Sequence, residues 1–295
     1  MFEHIIGNEK IKKELINSLK LNKISHSYIF LGTDGIGKKL FAREFAKAIL
    51  CENTEYCDKC KSCIEFNSKN NPDYGEIIPD GNSIKIDQIR EMQLKVSEPP
   101  IISSKKVYLI DDAHLMTKEA QNAMLKTLEE PPHYATIILL GANESNFLST
   151  IKSRCISIKF TNITNNEIVE YLKETKGLNN ISQSILEAAE GSIGKVERLQ
   201  ENETLYLAID NIVNNIEKLD LISTLKNADL IYKSQNEQNE ILDYINLRML
   251  EKARKDLRFL NCINIVENAK LRLKSNSNYN MTIDNMIISI WEELH

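Results

Sequence analysis

Three short segments made up mostly of apolar residues mark the first half of the chain, at residues 28–31, 107–111 and 136–140. Runs of four or five apolar residues bounded by turn signals are typical of strands that are buried on both faces of a parallel sheet. Stretches with helical periodicity lie between these segments. The alternation predicts an α/β fold built on a parallel, doubly wound sheet.

The helices between these strands are predicted from apolar residues that recur every third or fourth position. Asn8 stands where it would cap the first of them. Phe41, Phe45 and Ile49 predict a helix after the glycine-rich segment that follows the first strand, and further helices are predicted over residues 85–96 and 117–130. Pro131-Pro132 ends the last of these, because proline cannot continue a helix.

Helical periodicity alone continues after about residue 160. A Thr164-x-x-Glu167 capping box opens a helix that Gly177 can end. Because a chain of 295 residues is too long for a single core, we expect several domains. The pattern predicts an α/β domain at 1–160, a small helical lid at 161–202 and an all-helical domain at 203–295.

Composition narrows the function classes. The chain is 42% hydrophobic and 27% charged, as globular proteins usually are. Its net charge of -5 and pI near 5.7 argue against a stand-alone nucleic-acid binder with a broad basic face. The first 20 residues predict an amphipathic helix after a short lead. No apolar run in the chain reaches the length of a membrane span. We therefore expect a cytoplasmic protein without membrane contact.

The first predicted strand runs into the sequence GTDGIGKK, which fits the phosphate-loop pattern G-x-x-x-x-G-K. Gly32, Gly35 and Gly37 would let backbone N–H groups surround phosphates at a helix N-terminus, and Lys38 would reach the outer phosphates. The next residue should carry a hydroxyl for Mg²⁺, but it is Lys39. Binding of ATP and Mg²⁺ is therefore open, and the alternative is a glycine-rich turn without a ligand.

Polar residues follow the other two predicted strands. Asp111 comes at the end of the second strand, where P-loop ATPases hold Mg²⁺, and Asp112 takes the position of the acid that activates water. Asn143 follows the third strand and would sense the terminal phosphate. Two exposed acids and a loop asparagine are the alternative interpretation.

Four cysteines, Cys51, Cys57, Cys60 and Cys63, fall within 13 residues. Four thiolates at such spacings suit tetrahedral Zn²⁺ in a closed structural site. A chain without a secretion signal gives little reason for disulfides. A [4Fe–4S] cluster or four unligated thiols are the alternatives.

Ser153-Arg154-Cys155 follows the third strand after a short helical turn. An arginine in a loop near a phosphate-loop fold can enter a neighbouring subunit's site and stabilise transition-state charge. By itself, such a residue is more often a solvated surface arginine.

The order of these segments resembles the AAA+ subunits of bacterial clamp loaders. The resemblance rests on SHSYIFLGTDGIGKK, the four-cysteine insert, KVYLIDDAHLMTKEAQNAMLKTLEEPP and STIKSRC, and it covers about residues 1–200. It implies an ATPase-like sheet domain, a helical lid, a C-terminal collar and a structural zinc. It also implies a hetero-pentamer with tau/gamma and delta subunits of DNA polymerase III, which opens a sliding clamp for primer-template DNA.

Three departures from the ATP-hydrolysing pattern bear on the type of subunit. Lys39 replaces the hydroxyl residue, Asp112 replaces a glutamate, and Gly194 stands where the lid arginine of tau/gamma is expected. The retained Arg154 would act in trans. The resemblance thus favours the delta-prime type, which does not hydrolyse ATP. A hydrolysing tau/gamma subunit and a zinc-dependent nucleic-acid module are the alternatives.

Overall fold

The fold was established from a computed structural model, which describes residues 1–53, 56–178 and 180–295. Within these residues, five parallel strands form one sheet in the order β2-β3-β4-β1-β5. The strands are β1 (Ser27–Leu31), β2 (Tyr74–Ile77), β3 (Lys106–Ile110), β4 (Ala135–Gly141) and β5 (Ile156–Lys159).

Helices cover both faces of this sheet and build the rest of the chain. In the first part they are α1 (Glu9–Lys20), α2 (Lys38–Leu50), α3 (Lys61–Asn67), α4 (Ile86–Ser97), α5 (Lys118–Glu129), α6 (Ser149–Lys152) and α7 (Asn165–Lys176). They continue with α8 (Gln183–Ala189), α9 (Ile193–Glu201), α10 (Glu203–Asn215), α11 (Leu221–Asn227), α12 (Asp229–Lys233), α13 (Gln238–Ala253), α14 (Phe259–Lys274) and α15 (Tyr279–Leu294). The predicted α/β fold with a helical C-terminal part is confirmed.

Alternation along β1 explains why residues 28–31 are all apolar. Tyr28 and Phe30 belong to the core on the side of α1 and α2, whereas Ile29 and Leu31 belong to the core on the side of α4 and α5. Successive side chains of a strand point to opposite faces, so a strand covered on both sides needs apolar residues throughout. This burial fits the place of β1 as an inner strand of the sheet, between β4 and β5.

The outer strands β2 and β5 are absent from the three strands predicted from the sequence. In β5 only Ile158 is buried, and all four residues of β2 are half-buried. Neither strand therefore carries the continuous apolar run that marked the inner strands. Their pairing partners, β3 and β1, define them instead.

Asn8 does not cap α1 through its side chain, contrary to the sequence-based expectation. Its φ is 54°, and its side chain accepts no hydrogen bond from the first turn of the helix. The Thr161 N–H donates to Asn8 Oδ1 at 2.8 Å, and Asn8 Nδ2 donates to the Thr161 carbonyl at 3.1 Å. The amide thus ties the start of α1 to the segment after β5.

Helix α7 begins and ends as predicted. Thr164 and Glu167 form the reciprocal capping box, and Gly177 ends the helix with a φ of 67°. Glycine reaches this left-handed conformation without the steric cost of a β-carbon.

The described residues pack into two compact units. The first comprises residues 1–180 and 190–195, and the second comprises residues 181–189 and 196–295. In the second unit the rings of Tyr206 and Tyr244 contact each other at a tilt in a helical core, with their centroids 4.8 Å apart. Trp291 Nε1 donates to the Leu219 carbonyl at 2.9 Å. The division into domains at 160 and 202 stays a prediction. Among the described residues, no helix is both long and apolar enough to cross a membrane.

Asp73 is fully buried between α3 and β2 and fixes the loop that precedes β3. The backbone N–H groups of Ile101, Ile102 and Ser103 each donate to its carboxylate at 2.7 Å. Three charge-assisted hydrogen bonds satisfy both oxygens, which is the condition for burying a carboxylate at low cost.

We expect Asp73→Ala to lower the free energy of unfolding by about 3 kcal/mol or more, because it leaves three N–H donors without their acceptor. Urea denaturation measures the loss. Asp87→Ala is the matched control, since Asp87 is an exposed acid on α4, and it should change stability by less than about 1 kcal/mol. Equal effects of the two substitutions would contradict the role of Asp73.

Candidate functional site

The phosphate loop joins the carboxyl end of β1 to the N-terminus of α2. Gly37 precedes the helix with a φ of 93°, a left-handed conformation that favours glycine. Gly35 has no room for a side chain, because a β-carbon there would lie 2.4 Å from Ser192 Oγ. The predicted strand, loop and helix are therefore all present in their expected order.

A turn at residues 191–194 packs directly on this loop. Ser192 Oγ donates to the Asp34 carbonyl at 2.8 Å, and the Gly194 N–H donates to the Gly35 carbonyl at 3.1 Å. Two carbonyl groups of the loop are thereby satisfied by the turn. Sequence reasoning singled out Gly194 but missed Ser192, whose buried position depends on a contact that no local pattern encodes.

Lys38 folds back onto the loop that it follows. Its Nζ donates to the carbonyls of Gly32 and Thr33 at 2.7 and 2.8 Å, and the side chain is buried. Burial lowers the pKa of Lys38, although nearby carboxylates oppose this effect. The lysine is thus held beside the place where the outer phosphates would bind.

Lys39 makes an ion pair with the acid at the end of β3. Its Nζ donates to Asp111 Oδ2 at 2.8 Å, and it also pairs with the carboxylate of Glu76 on β2. The other oxygen of Asp111 accepts the backbone N–H of Asp112 at 3.1 Å. Both oxygens of Asp111 therefore have a donor from the protein itself.

Glu76 joins a second cation to this cluster. Arg43 donates to Glu76 Oε2 through Nη2 at 2.6 Å and through Nε at 3.2 Å. Burial disfavours the charged form of Lys39, but its hydrogen bonds to Asp111 and Glu76 outweigh burial and raise the pKa of this lysine. Burial likewise opposes ionisation of Glu76, and the two cations outweigh it and lower the pKa of Glu76. Glu76 was not predicted as a site residue, because the half-buried strand β2 that carries it was not predicted either.

Asp112 and Asn143 stand where they were predicted, at the ends of β3 and β4. Asp112 adopts the left-handed conformation with a φ of 45°. Burial and the charge of Asp111 raise the pKa of its carboxyl. Asn143 is exposed, and its Oδ1 accepts the Ser145 N–H at 3.0 Å within its own turn. The hydrogen bond of Asn143 is thus local, whereas Lys38, Lys39 and Asp111 are brought together.

The four cysteines of the insert converge as the spacing predicted. The sulfur atoms of Cys51, Cys57, Cys60 and Cys63 all lie within 4.8 Å of one another. Cys51 Sγ is 3.7 Å from Cys57 Sγ and 3.9 Å from Cys60 Sγ. Sulfurs bound to one tetrahedral zinc at 2.3 Å are about 3.8 Å apart. The four sulfurs could therefore hold a zinc ion.

Backbone N–H groups point at these sulfurs, as they do around metal-bound thiolates. The Cys60 N–H donates to Cys57 Sγ at 3.3 Å, and the Cys63 N–H donates to Cys60 Sγ at 3.4 Å. Hydrogen bonds from the backbone at Lys59 and Cys60 lower the pKa of Cys57 to about 6. The thiolate, which is the form that binds metal, is thus favoured at Cys57.

Arg154 lies at the opposite edge of the sheet from the phosphate loop. The Arg154 carbonyl accepts Ser27 Oγ at 2.7 Å, at the amino end of β1, whereas the loop begins at Gly32 beyond its carboxyl end. Five residue steps of extended chain separate Ser27 from Gly32, or about 17 Å. A single side chain does not cover this distance, so Arg154 does not reach the phosphate loop of its own chain.

The Arg154 guanidinium is held by local contacts. Its Nη1 donates to the Thr150 carbonyl at 2.9 Å, and its Nη2 pairs with Glu129 at 2.7 Å, near the end of α5. The guanidinium is one-third exposed. Its partner Glu129 was missed, although it lies in the LEEPP sequence that carried part of the resemblance.

Comparison with known proteins identifies the family. The family described as DNA polymerase III, delta subunit, matches residues 7–164, which is more than half of the chain. This chain is 34% identical over 248 residues to a DNA polymerase III subunit gamma of Buchnera aphidicola, covering 81% of this chain and 68% of the relative. The chain belongs to the DNA polymerase III clamp-loader family.

Members of the family with different names are similar to this chain. The tau subunit of Bacillus subtilis is 37% identical over 195 residues, covering 65% of this chain and 34% of that protein. The delta-prime subunit of the same organism is 35% identical over 190 residues, covering 61% of this chain and 58% of that protein. The chain spans about one third of the length of the tau and tau/gamma relatives it matches.

A solved structure shares the fold. A gamma-subunit-related protein of Thermotoga maritima aligns with a TM-score of 0.54 over 95% of this chain and 99% of its own length. Its sequence identity to this chain is 20%, so this likeness bears on the fold.

Proposed function

We propose that this chain is the delta-prime type subunit of a DNA polymerase III clamp loader and does not hydrolyse ATP itself. The observation that carries the proposal is the ion pair between Lys39 and Asp111. In a hydrolysing P-loop protein, the residue at the position of Lys39 carries a hydroxyl that binds Mg²⁺. The carboxylate at the position of Asp111 binds the same ion. Here an ammonium replaces the hydroxyl and binds the carboxylate.

Two further positions support the same proposal. Asp112 is one methylene shorter than the glutamate that activates water, and a misplaced base costs catalysis heavily. Gly194, at the position of the lid arginine, carries no side chain and uses its N–H to bind the phosphate loop. At all three positions the chain lacks the side-chain group that hydrolysing relatives use, so each departure argues against hydrolysis.

Arg154 supports a role in a neighbouring subunit. The Arg154 backbone lies about 17 Å from its own phosphate loop along β1, and the guanidinium is partly exposed. We propose that it enters the ATP site of an adjacent subunit as an arginine finger. The remaining predicted residues, Gly32, Gly35, Gly37, Lys38, Asp111 and Asn143, would then form a degenerate nucleotide site.

The cysteine cluster would hold a structural Zn²⁺. Cys51, Cys57, Cys60 and Cys63 would supply four thiolates, which leave no open position for a substrate. The ion would fasten the polar segment between α2 and α3, where few apolar side chains could do so.

The family implies the partners. We propose that the chain joins tau/gamma and delta subunits in a hetero-pentamer that loads a sliding clamp onto primer-template DNA. The all-helical residues 203–295 would be the assembly domain. Residues 1–160 would form an ATPase-like domain and residues 161–202 a lid. Large apolar side chains of the last part, such as Leu257 and Leu271, are well exposed and suit such a role.

The alternative is a hydrolysing tau/gamma type subunit. The comparisons favour it as much as the delta-prime type, because relatives named gamma and tau/gamma are similar to this chain over 81% and 82% of its length. ATP hydrolysis separates the two candidates.

The purified chain is expected to hydrolyse ATP at least about 100-fold more slowly than a tau protein assayed in parallel, because the hydroxyl that holds Mg²⁺ is missing. Phosphate release with and without primed DNA measures the rate. A rate comparable to that of tau would overturn the delta-prime assignment in favour of the tau/gamma alternative.

A further inference from the structure

The cluster around Lys39 resembles a metal site in which a lysine ammonium takes the place of the metal ion. Two carboxylates from neighbouring strands, Glu76 on β2 and Asp111 after β3, converge on one ammonium from α2. Two acids on adjacent strands beside a phosphate loop normally need a cation between them. In this chain the cation is the ammonium of Lys39, which is part of the protein itself.

A divalent ion at Asp111 would compete with the ammonium of Lys39. Mg²⁺ binds carboxylate oxygens at about 2.0–2.1 Å and requires near-octahedral ligands. Lys39 Nζ lies 2.8 Å from Asp111 Oδ2, and the Asp112 N–H takes Oδ1. An ion bound at the same oxygen would lie against the ammonium, and two cations at this separation repel each other strongly in a partly buried site.

We propose that Lys39 is a tethered cation that excludes Mg²⁺ from the phosphate loop and makes any binding of a nucleotide polyphosphate there independent of divalent metal. The proposal rests on the proposed function only for the identity of the loop as a degenerate nucleotide site. Lys39 thereby determines which form of nucleotide, metal-free or metal-bound, the phosphate loop accepts.

Arg43 neutralises Glu76 independently of Lys39, so the exclusion of Mg²⁺ from Asp111 depends on Lys39 alone. It already pairs with Glu76 through two hydrogen bonds. When Lys39 is replaced, Glu76 keeps a cationic partner and only Asp111 loses its own. A hydroxyl residue at position 39 would then stand beside an available carboxylate, which together are the two protein ligands that Mg²⁺ uses in this type of site.

Binding of ATP measured by calorimetry, with excess Mg²⁺ and with EDTA, tests the proposal on the full chain. For the unchanged protein we expect affinities within about twofold of each other in the two conditions, or no binding in either. Lys39→Thr is expected to bind ATP at least ten times more tightly with Mg²⁺ than with EDTA. Lys39→Arg is the matched control, because it keeps the cation, and it should remain insensitive to Mg²⁺.

A second substitution checks that the gained metal lies at the expected carboxylate. The double variant Lys39→Thr, Asp111→Asn should lose the Mg²⁺ dependence that Lys39→Thr gains, and Mn²⁺ used as a paramagnetic probe should bind Lys39→Thr with ATP but not the double variant. Circular dichroism and thermal unfolding establish that each variant is folded.

Two results would overturn the proposal. One is tighter binding of ATP with Mg²⁺ than with EDTA by the unchanged protein, which can be measured even if the variants do not fold. The other is a folded Lys39→Thr whose binding does not respond to Mg²⁺. Neither result concerns turnover, so the proposed function fails separately, through ATP hydrolysis by the unchanged chain.

Discussion

A clamp loader assembled with Arg154→Ala is expected to hydrolyse ATP more slowly and to load clamps poorly, although the variant itself folds and assembles normally. Loss of an arginine finger lowers the rate at the affected site by about 10³–10⁵. Because only the site next to this subunit would be affected, total turnover should fall less. DNA- and clamp-stimulated phosphate release by the reconstituted complex measures the effect.

The fold should tolerate this substitution. Arg154 makes one ion pair, with the half-exposed Glu129, and surface pairs contribute about 0–1 kcal/mol. Lys152→Ala is the matched control, since it removes a positive charge from the preceding turn and should leave ATP hydrolysis unchanged. Arg154→Lys should rescue poorly, because an ammonium lacks the planar pair of donors that binds phosphate. Normal clamp loading by an assembled Arg154→Ala complex would return Arg154 to the role of a surface charge.

Under the proposed zinc site, substitution of Cys60 by serine is expected to lower the zinc content of the purified protein from one ion per chain to a small fraction of one. Zinc sites of this kind contribute about 10–16 kcal/mol to the folding of small zinc-binding peptides. The segment between α2 and α3 should therefore lose its order, whereas β1 and its neighbours should keep theirs, because the insert lies outside the sheet. Elemental analysis of untagged protein, with hydrogen exchange resolved by segment, measures both effects.

A different cysteine provides the control for the metal. Cys262 is buried in α14, far along the chain from the cluster, and Cys262→Ala should keep the full zinc content. A native chain that is folded and contains no metal would exclude the zinc site. Zinc retained in full by Cys60→Ser would exclude Cys60 as a ligand.

The amino-acid sequence by itself determined the central elements. Strands β1, β3 and β4 are buried on both faces, so their apolar runs are continuous and predict them without further information. The capping box at Thr164 and the left-handed Gly37 before α2 were equally visible, because each acts within a few residues of its own position. The cysteine spacing predicted the sulfur cluster for the same reason.

Only the tertiary structure decided which of these residues meet. The pairing of Lys39 with Asp111 and Glu76 depends on the order of the strands, and β2, which carries Glu76, was not predicted because it is only half-buried. The side chain of Asn8 bonds to Thr161, 153 residues away, instead of capping its own helix. Sequence patterns report local periodicity and spacing, whereas ion pairs and hydrogen bonds across the sheet depend on contacts between distant segments, and these form only when the chain folds.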